Sequence, residues 1–378
     1  MIPFTKPIIE EEEIQAVRQV LESGMLAEGK IAHEFEKKFS EYTGTKYATV
    51  TSNGTTALTT ALEAMGIQPG DEIITSPFTF IASANSIAIL GGIPVFVDIK
   101  PDSYNIDPHL IEAAITSRTR AIMPVHIFGM PSDMKHIMEI AENYDLLVIE
   151  DACQAHGAEI DGKRVGGLGH VGCFSFYATK NILTGEGGMI TTDDEELYDK
   201  MLMIKNHGRG KEGGYSHYQI GYNNRMMDMV AAIGVTQMKR IDELIRKRRE
   251  NAKEYDKFFS DFHEIKPQVE DPGFSSGYHL YAPRLYSDRL TRDEMVSALR
   301  NEGIGARPVY ALPCHKQNTY LQIQKWRWAK FVSYPDYSKV SLPISEDIGA
   351  RHFDIPVHPS LTIEEKETIQ EAFKKILA

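Results

Sequence analysis

Lys180 stands in Ser175-Phe176-Tyr177-Ala178-Thr179-Lys180-Asn181, just after an apolar run and just before Gly185-Glu186-Gly187-Gly188. A lysine at such a junction lies where a cleft forms. An amine taken out of water there has a lowered pKa and can attack a carbonyl carbon to form a Schiff base. Taken alone, the same lysine reads as a solvated loop residue, because nearly all lysines are exposed. A second segment, Val148-Ile149-Glu150-Asp151-Ala152-Cys153-Gln154-Ala155-His156, places two acids at the end of a buried strand. Ligands of open α/β sheets bind at that edge. A third, Asn53-Gly54-Thr55-Thr56, precedes an amphipathic helix, and free N–H groups at a helix start suit a phosphate. An ordinary threonine N-cap is the alternative. Ser175 is a second candidate phosphate donor. Phe80, in Ser76-Pro77-Phe78-Thr79-Phe80, can stack on a flat aromatic ring, although a lone aromatic is more often core.

These four parts together are what pyridoxal phosphate (PLP) requires. A carboxylate against the pyridine nitrogen keeps that nitrogen protonated, and the protonated ring withdraws electrons from a substrate carbanion. Such a pair is worth roughly 4 kcal/mol at about 4 Å and an effective dielectric near ~20. That raises the nitrogen's pKa by about three units, enough to hold its proton at neutral pH. Asp151 is assigned that role, and Gln154 a hydrogen bond to the ring hydroxyl. Glu150 and Asp151 alone would serve equally well as a metal-binding or structural acid pair.

Elements that alternate between helix and strand must position these groups. Ile14, Val17 and Leu21 sit at helical spacing, as do Phe35, Phe39 and Tyr42. After the Gly54 turn, Ala57, Leu58, Ala61, Leu62 and Met65 form one helical face, with Gly66 as a stop. Glu72 to Thr75, Pro94 to Ile99, Ala121 to Ile127 and Leu146 to Ile149 read as buried strands, and Gly172 to Tyr177 and Gly188 to Thr192 flank Lys180. Such alternation predicts a mostly parallel sheet covered on both faces. Met238 to Phe259 reads as one long charged helix with Arg246 to Arg249 on its solvated part. Beyond it Tyr278 to Leu285 reads as strand, and Arg292 to Asn301 and Ile363 to Leu377 as helices. The expected division is a large domain over 1–245 and a smaller α+β domain over 246–378.

The chain has 378 residues, 42% hydrophobic, enough for a large core and two domains. Its net charge of -12 argues against nucleic acid as a partner, since phosphate contacts dominate that affinity. Cys153, Cys173 and Cys314 are too scattered for a disulfide framework or a CxxC metal site, so no metal is expected. No HExxH, GxGxxG, GxSxG elbow or P-loop is present. Without an apolar signal segment or a run long enough to span a bilayer, a cytoplasmic location is expected.

The order of these motifs is more specific than any one of them. A Gly-Thr turn, a strand-end aromatic, Asp-x-x-Gln, then Ser-x-x-x-x-Lys before Gly-Glu-Gly-Gly resembles the DegT/StrS-type nucleotide-sugar aminotransferases. These belong to the fold-type I PLP enzymes, which share the aspartate aminotransferase fold. The likeness extends over nearly the whole chain, through Gly70-Asp71-Glu72-Ile73, Val97-Asp98, Pro124-Val125-His126, Asn206-His207-Gly208 and Gly221-Tyr222-Asn223-Asn224-Arg225. It implies that Lys180 carries the Schiff base and shuttles a proton, and that Asp151 and Gln154 pair with the ring nitrogen and hydroxyl. It further implies that Phe80 stacks on the ring and that Gly54, Thr55 and Ser175 hold the phosphate. Asn223 would reach the phosphate of a neighbouring subunit's cofactor, so the active unit would be a homodimer with shared sites. Arg225, Arg307 and His315 are the expected substrate contacts. Relatives with histidine at the lysine position are dehydratases, so Lys180 favours transamination. Arg307-Pro308-Val309-Tyr310 departs from a common His-Tyr-Pro run and resembles enzymes that aminate GDP-4-keto-6-deoxymannose. The implied reaction moves an amine from glutamate to a nucleotide-linked 4-keto-6-deoxy sugar, as in GDP-perosamine synthesis, for glycan or polysaccharide assembly. A cyclitol or other keto acceptor, or a PLP-binding regulator, is the alternative.

Overall fold

Short apolar runs separated by amphipathic helices build the frame of the site. The computed structural model describes residues 1–210 and 215–378. In chain order the elements are α1 (Glu11–Ser23), α2 (Lys30–Thr43), β1 (Tyr47–Thr51), α3 (Gly54–Ala64), β2 (Glu72–Thr75), α4 (Ala82–Ile89), β3 (Ile93–Phe96), β4 (Thr119–Met123), α5 (Met134–Tyr144) and β5 (Leu147–Asp151). A small hairpin of β6 (Glu159–Ile160) and β7 (Lys163–Arg164) precedes β8 (Val171–Ser175), β9 (Gly188–Thr192), α6 (Glu195–Lys205), α7 (Asp228–Met238) and α8 (Ile241–Phe259).

Seven strands form one sheet in the order β1-β9-β8-β5-β4-β2-β3. Neighbours from β8 to β3 are parallel, and β9 alone runs against the rest. Side chains alternate between the two faces. Ile73, Ala121 and Ile149 pack with Ala57, Leu58 and Ile204 of α3 and α6. Their sequence neighbours Ile74, Ile122 and Val148 pack with Ile137 and Ala141 of α5. Helices on both faces explain why β2 and β8 are buried at every position. Phe35 and Phe39 of α2 pack on Phe174 and Phe176 as a further aromatic layer.

A second core gathers Tyr255 and Phe259 of α8, Met295 and Leu299 of α9 (Arg292–Asn301), and Phe373. The remaining elements are β10 (Ile265–Lys266) paired with β12 (Arg284–Leu285), β11 (Phe274–Ser275) paired with β6, then α10 (Asn318–Leu321), α11 (Pro343–Arg351) and α12 (Ile363–Leu377). The chain crosses residue 245 in both directions. Ile2 pairs with Ile304 in the second core, and Tyr320 and Tyr337 pack on Phe96 beside β3.

Three readings change. The long helix is present as α8 but starts at Ile241 rather than Met238, where α7 ends. Within α8, Arg248 is buried rather than solvated: its Nη1 donates to the carbonyls of Tyr278 and His279. Arg249 is half-buried and donates to the carbonyls of Ser276 and Gly157. The run therefore ties the connection between the cores. The Tyr278 to Leu285 strand shrinks to Arg284–Leu285, since Tyr278 adopts φ 42° and turns the backbone out of line. On α1 it is Ile14 and Leu21 that face outward, while Glu13 is buried with Arg240 and Gln237. β1 and α4 carried no distinct sequence signal.

Candidate active site

The C-terminal ends of β1, β2, β5 and β8 open on one edge of the sheet. After β1, Asn53 caps α3: its Oδ1 accepts from Thr56 N at 2.9 Å, and its own N–H donates to Thr56 Oγ1. The cap is asparagine, not threonine. The first N–H groups of a helix have no intrahelical acceptor, so those of Gly54 and Thr55 face outward as anion donors. Gly54 lies against β8. A Cβ placed on it would stand 2.7 Å from Ser175 Cβ and 3.0 Å from Cys153 Sγ. Only glycine lets the helix start meet the Ser175 hydroxyl, which accepts from Tyr177 N at 3.3 Å. Gly54 and Ser175, two of the residues read as phosphate ligands, thus lie side by side.

Strand alternation separates the two acids at the end of β5. Glu150 is fully buried and accepts from the N–H groups of Gly166, Leu168 and Gly169 at 2.8, 2.8 and 2.7 Å. His126 Nε2 lies 3.0 Å from it, and Ser132 N–H donates to His126 Nδ1, which leaves the ring proton on Nε2 to donate to Glu150. Glu150 is therefore structural. Asp151 faces the other way: Oδ2 accepts from Ser83 Oγ at 2.6 Å and Oδ1 from Cys153 N at 3.2 Å. Thr79 Oγ1 sits 2.9 Å from Ser83 Oγ, so a chain of hydroxyls leads into the carboxylate. Sequence reasoning missed Ser83; its only signal was a serine in the first turn after the Phe80 loop. Among the described residues no group of three or more His, Cys, Asp or Glu could hold a metal.

Lys180 follows β8 in a turn closed by its N–H to Tyr177 O at 2.8 Å, and its side chain is half-buried. Burial lowers the pKa of its amine, partly opposed by Cys153 and Asp151. His156 is fully buried in a box of Phe39, Phe174 and Phe176. Burial first, then the charges of Lys180 and Arg248, lower it to about 3. The same causes push His279 well below its ordinary value. Burial thus holds both rings toward the neutral form beside the Lys180 amine.

Gln154 is held at both ends. Its Oε1 accepts from Phe128 N and its Nε2 donates to Tyr310 Oη, each at 3.0 Å. In Ser76-Pro77-Phe78-Thr79-Phe80 the two rings part: Phe78 is fully buried against Tyr104 and Phe128, while Phe80 is 57% exposed. The other expected residues lie further out. Asn223 is exposed and accepts from Arg225 Nε at 3.0 Å. The Arg307 guanidinium stacks 3.9 Å from the centre of the Phe4 ring. His315 is fully buried, with Nε2 at 3.1 Å from Glu346 and Nδ1 unpartnered. Among the described residues, no hydrogen bond, ion pair or ring contact joins these four to Lys180, Asp151 or Gln154.

The donor set suits PLP. Free helix N–H groups and a hydroxyl match a phosphate, a buried carboxylate matches a ring nitrogen, and an amine of lowered pKa matches an aldehyde. With a mostly parallel sheet presenting them at its C-terminal edge, the fold and site define a fold-type I PLP enzyme. A model of the DegT/DnrJ/EryC1/StrS aminotransferase family matches residues 7–374, and the chain belongs to that family. It is 39% identical to the spore coat polysaccharide biosynthesis protein SpsC of Bacillus subtilis, over 100% of this chain and 97% of that one. It is also 39% identical to the GDP-perosamine synthase of Caulobacter vibrioides, over 92% and 91% of the two chains. The crystal structure of NtdA from Bacillus subtilis with bound cofactor PMP superposes with a TM-score of 0.87 at 31% identity, over 98% of this chain and 83% of that one. The protein is a PLP-dependent aminotransferase of a family that acts on sugars.

Proposed function

We propose that this enzyme transfers an amino group from glutamate to the keto carbon of a nucleotide-linked 4-keto-6-deoxy sugar, in the manner of GDP-perosamine synthesis. The observation that carries the reading is Lys180, an amine of lowered pKa beside the Asp151 carboxylate, in a chain related along nearly its full length to a GDP-perosamine synthase. When bound, PLP supplies the electron-withdrawing ring that stabilises a carbanion next to the transferred nitrogen. Lys180, whose amine burial pulls below its ordinary pKa, would hold the cofactor and then move a proton at its Nζ. Asp151 keeps a proton on the ring nitrogen, and Ser83 fixes the carboxylate's direction. Gly54, Thr55 and Ser175 bind the phosphate, Phe80 covers a ring face and Gln154 meets the ring hydroxyl.

The active unit is a homodimer in this reading, with Asn223 reaching the partner's phosphate. Exposed Ile220, Tyr222 and Met227 flank Asn223, and Ile14 and Leu21 form an exposed apolar stripe on α1; a second copy would cover such surfaces. Arg225, Arg307 and His315 are assigned to the sugar nucleotide, for which the sites of two chains must meet. The domains run over 1–245 and 246–378 in this reading, with Ile2 and Tyr320 packing across that boundary, and the enzyme works in the cytoplasm. Among the described residues no helix is long and apolar enough to cross a membrane.

Purified protein given PLP should show a visible absorbance band that Lys180→Ala lacks. Enzyme loaded with glutamate and then offered nucleotide-linked keto sugars should regain the band with GDP-4-keto-6-deoxymannose. Recovery with a cyclitol ketone and no sugar nucleotide would overturn the substrate assignment.

A further inference from the structure

The Gln154 amide is oriented by its neighbours. Phe128 N–H can only donate, so the atom facing it is the carbonyl Oε1. The NH2 group therefore faces Tyr310, where one N–H donates to the phenol oxygen at 3.0 Å. One N–H is left over. Phe128 and Tyr310 both adopt left-handed backbone conformations, φ 56° and 62°, that residues with side chains populate sparsely. Their rings stack face to face, 5.7 Å apart and 5° from parallel. Such conformations persist only where surrounding contacts over-determine them. Here those contacts come from beyond the sheet. Val309 N donates to Asp354 at 2.8 Å, His352 Nε2 lies against Val309 O, and Arg307 pairs with Asp354 through the backbone.

We propose that Tyr310 is a positioning residue, which fixes the Gln154 amide so that its remaining N–H points at the cofactor's ring hydroxyl. It thereby makes the charge on that oxygen depend on how the second core sits against the sheet. Gln154 alone could rotate about its last side-chain bond; two anchors from different parts of the fold stop it. Tyr310 has this role without touching the reacting atoms. The inference rests on the reading that Gln154 meets the ring hydroxyl.

The test is the pH titration of the visible band in PLP-loaded wild type, Tyr310→Phe, Gln154→Ala and the double variant. A donor to the ring oxygen stabilises its anion, so an oxygen that loses the donor keeps its shared proton to higher pH. Tyr310→Phe keeps the ring and its stacking on Phe128, and should raise the midpoint by about half a pH unit or more, as expected for one misplaced donor. Gln154→Ala should raise it further, and the double variant should match Gln154→Ala alone. An unchanged midpoint in Tyr310→Phe beside a shifted one in Gln154→Ala would overturn the role of Tyr310 and leave that of Gln154. Shifts that add in the double variant would also overturn it. An unchanged midpoint in Gln154→Ala would instead remove the underlying placement of Gln154.

Discussion

Gly54 lies so close beneath Ser175 that a methyl group on it would stand 2.7 Å from the Ser175 Cβ. The start of α3 and the end of β8 therefore meet only because residue 54 has no side chain. Gly54→Ala should push the helix start away from the Ser175 hydroxyl and destabilise the protein by about 1–3 kcal/mol, the usual cost of overpacking. Cofactor retention should fall with it. Equilibrium dialysis against PLP, alongside urea denaturation, checks both, and a variant that keeps wild-type PLP affinity would contradict the phosphate assignment.

Asp151 and Ser83 should separate turnover from binding. Asp151→Asn keeps the shape but not the charge, so kcat should drop on the order of 100-fold or more while PLP affinity changes little, since about 4 kcal/mol of ring-nitrogen pairing is lost. Ser83→Ala removes one hydrogen bond to a charged group and should lower kcat by about 10-fold. Steady-state kinetics with glutamate, set beside PLP binding constants, decide the matter. Equal losses in kcat and affinity would make Asp151 a structural acid.

Glu150 should behave in the opposite way. Glu150→Ala leaves three backbone N–H groups and the His126 ring proton buried without an acceptor. The loss should be at least about 3 kcal/mol of stability, at 1–3 kcal/mol per unsatisfied group with partial relaxation. The midpoint of urea unfolding measures it. A near-neutral substitution would show that the acceptor role is dispensable.

Acid should destabilise the protein through its buried histidines. His156 is lowered to about 3, and His352 and His358 to about 4, each first by burial. The unfolded chain binds these protons near pH 6.5, the ordinary value. Between pH 6.5 and the folded values the unfolded state holds more protons. The contribution is thus complete above pH 6.5 and is lost as pH falls, at up to ~1.4 kcal/mol per pH unit for each ring. Urea midpoints from pH 8 to pH 4.5 should decline more gently in His156→Leu than in wild type. Parallel declines would mean that His156 is not held neutral.

The proposed sharing of sites between two chains is tested by a mixing experiment on Asn223. Lys180→Ala and Asn223→Ala homodimers should each be weak or inactive. After subunit exchange, half the dimers are mixed and each mixed dimer has one intact site, so about one quarter of wild-type activity should return. No recovery, with exchange verified by native mass spectrometry, would place Asn223 outside the partner's site.

The sequence by itself determined six of the sheet's seven strands and the order of its chemistry. Continuous apolar runs fit strands buried on both faces, and the Gly54, Asp151, Ser175 and Lys180 signals all sit at strand ends, where local pattern and position coincide. The Asp-x-x-Gln resemblance already named Asp151, and tertiary structure added that Glu150 is tied to backbone N–H groups. Glu150 and Asp151 are adjacent, and alternation says only that they point apart, not which one meets the cleft. It also decided that Arg248 is buried, which its place in a charged run hid. Ser83 and Tyr310 gained their meaning the same way, through hydrogen bonds to Asp151 and Gln154 across 68 and 156 residues. Local periodicity reports which face of an element is apolar. It does not report which distant side chain will complete a hydrogen bond once the element is buried.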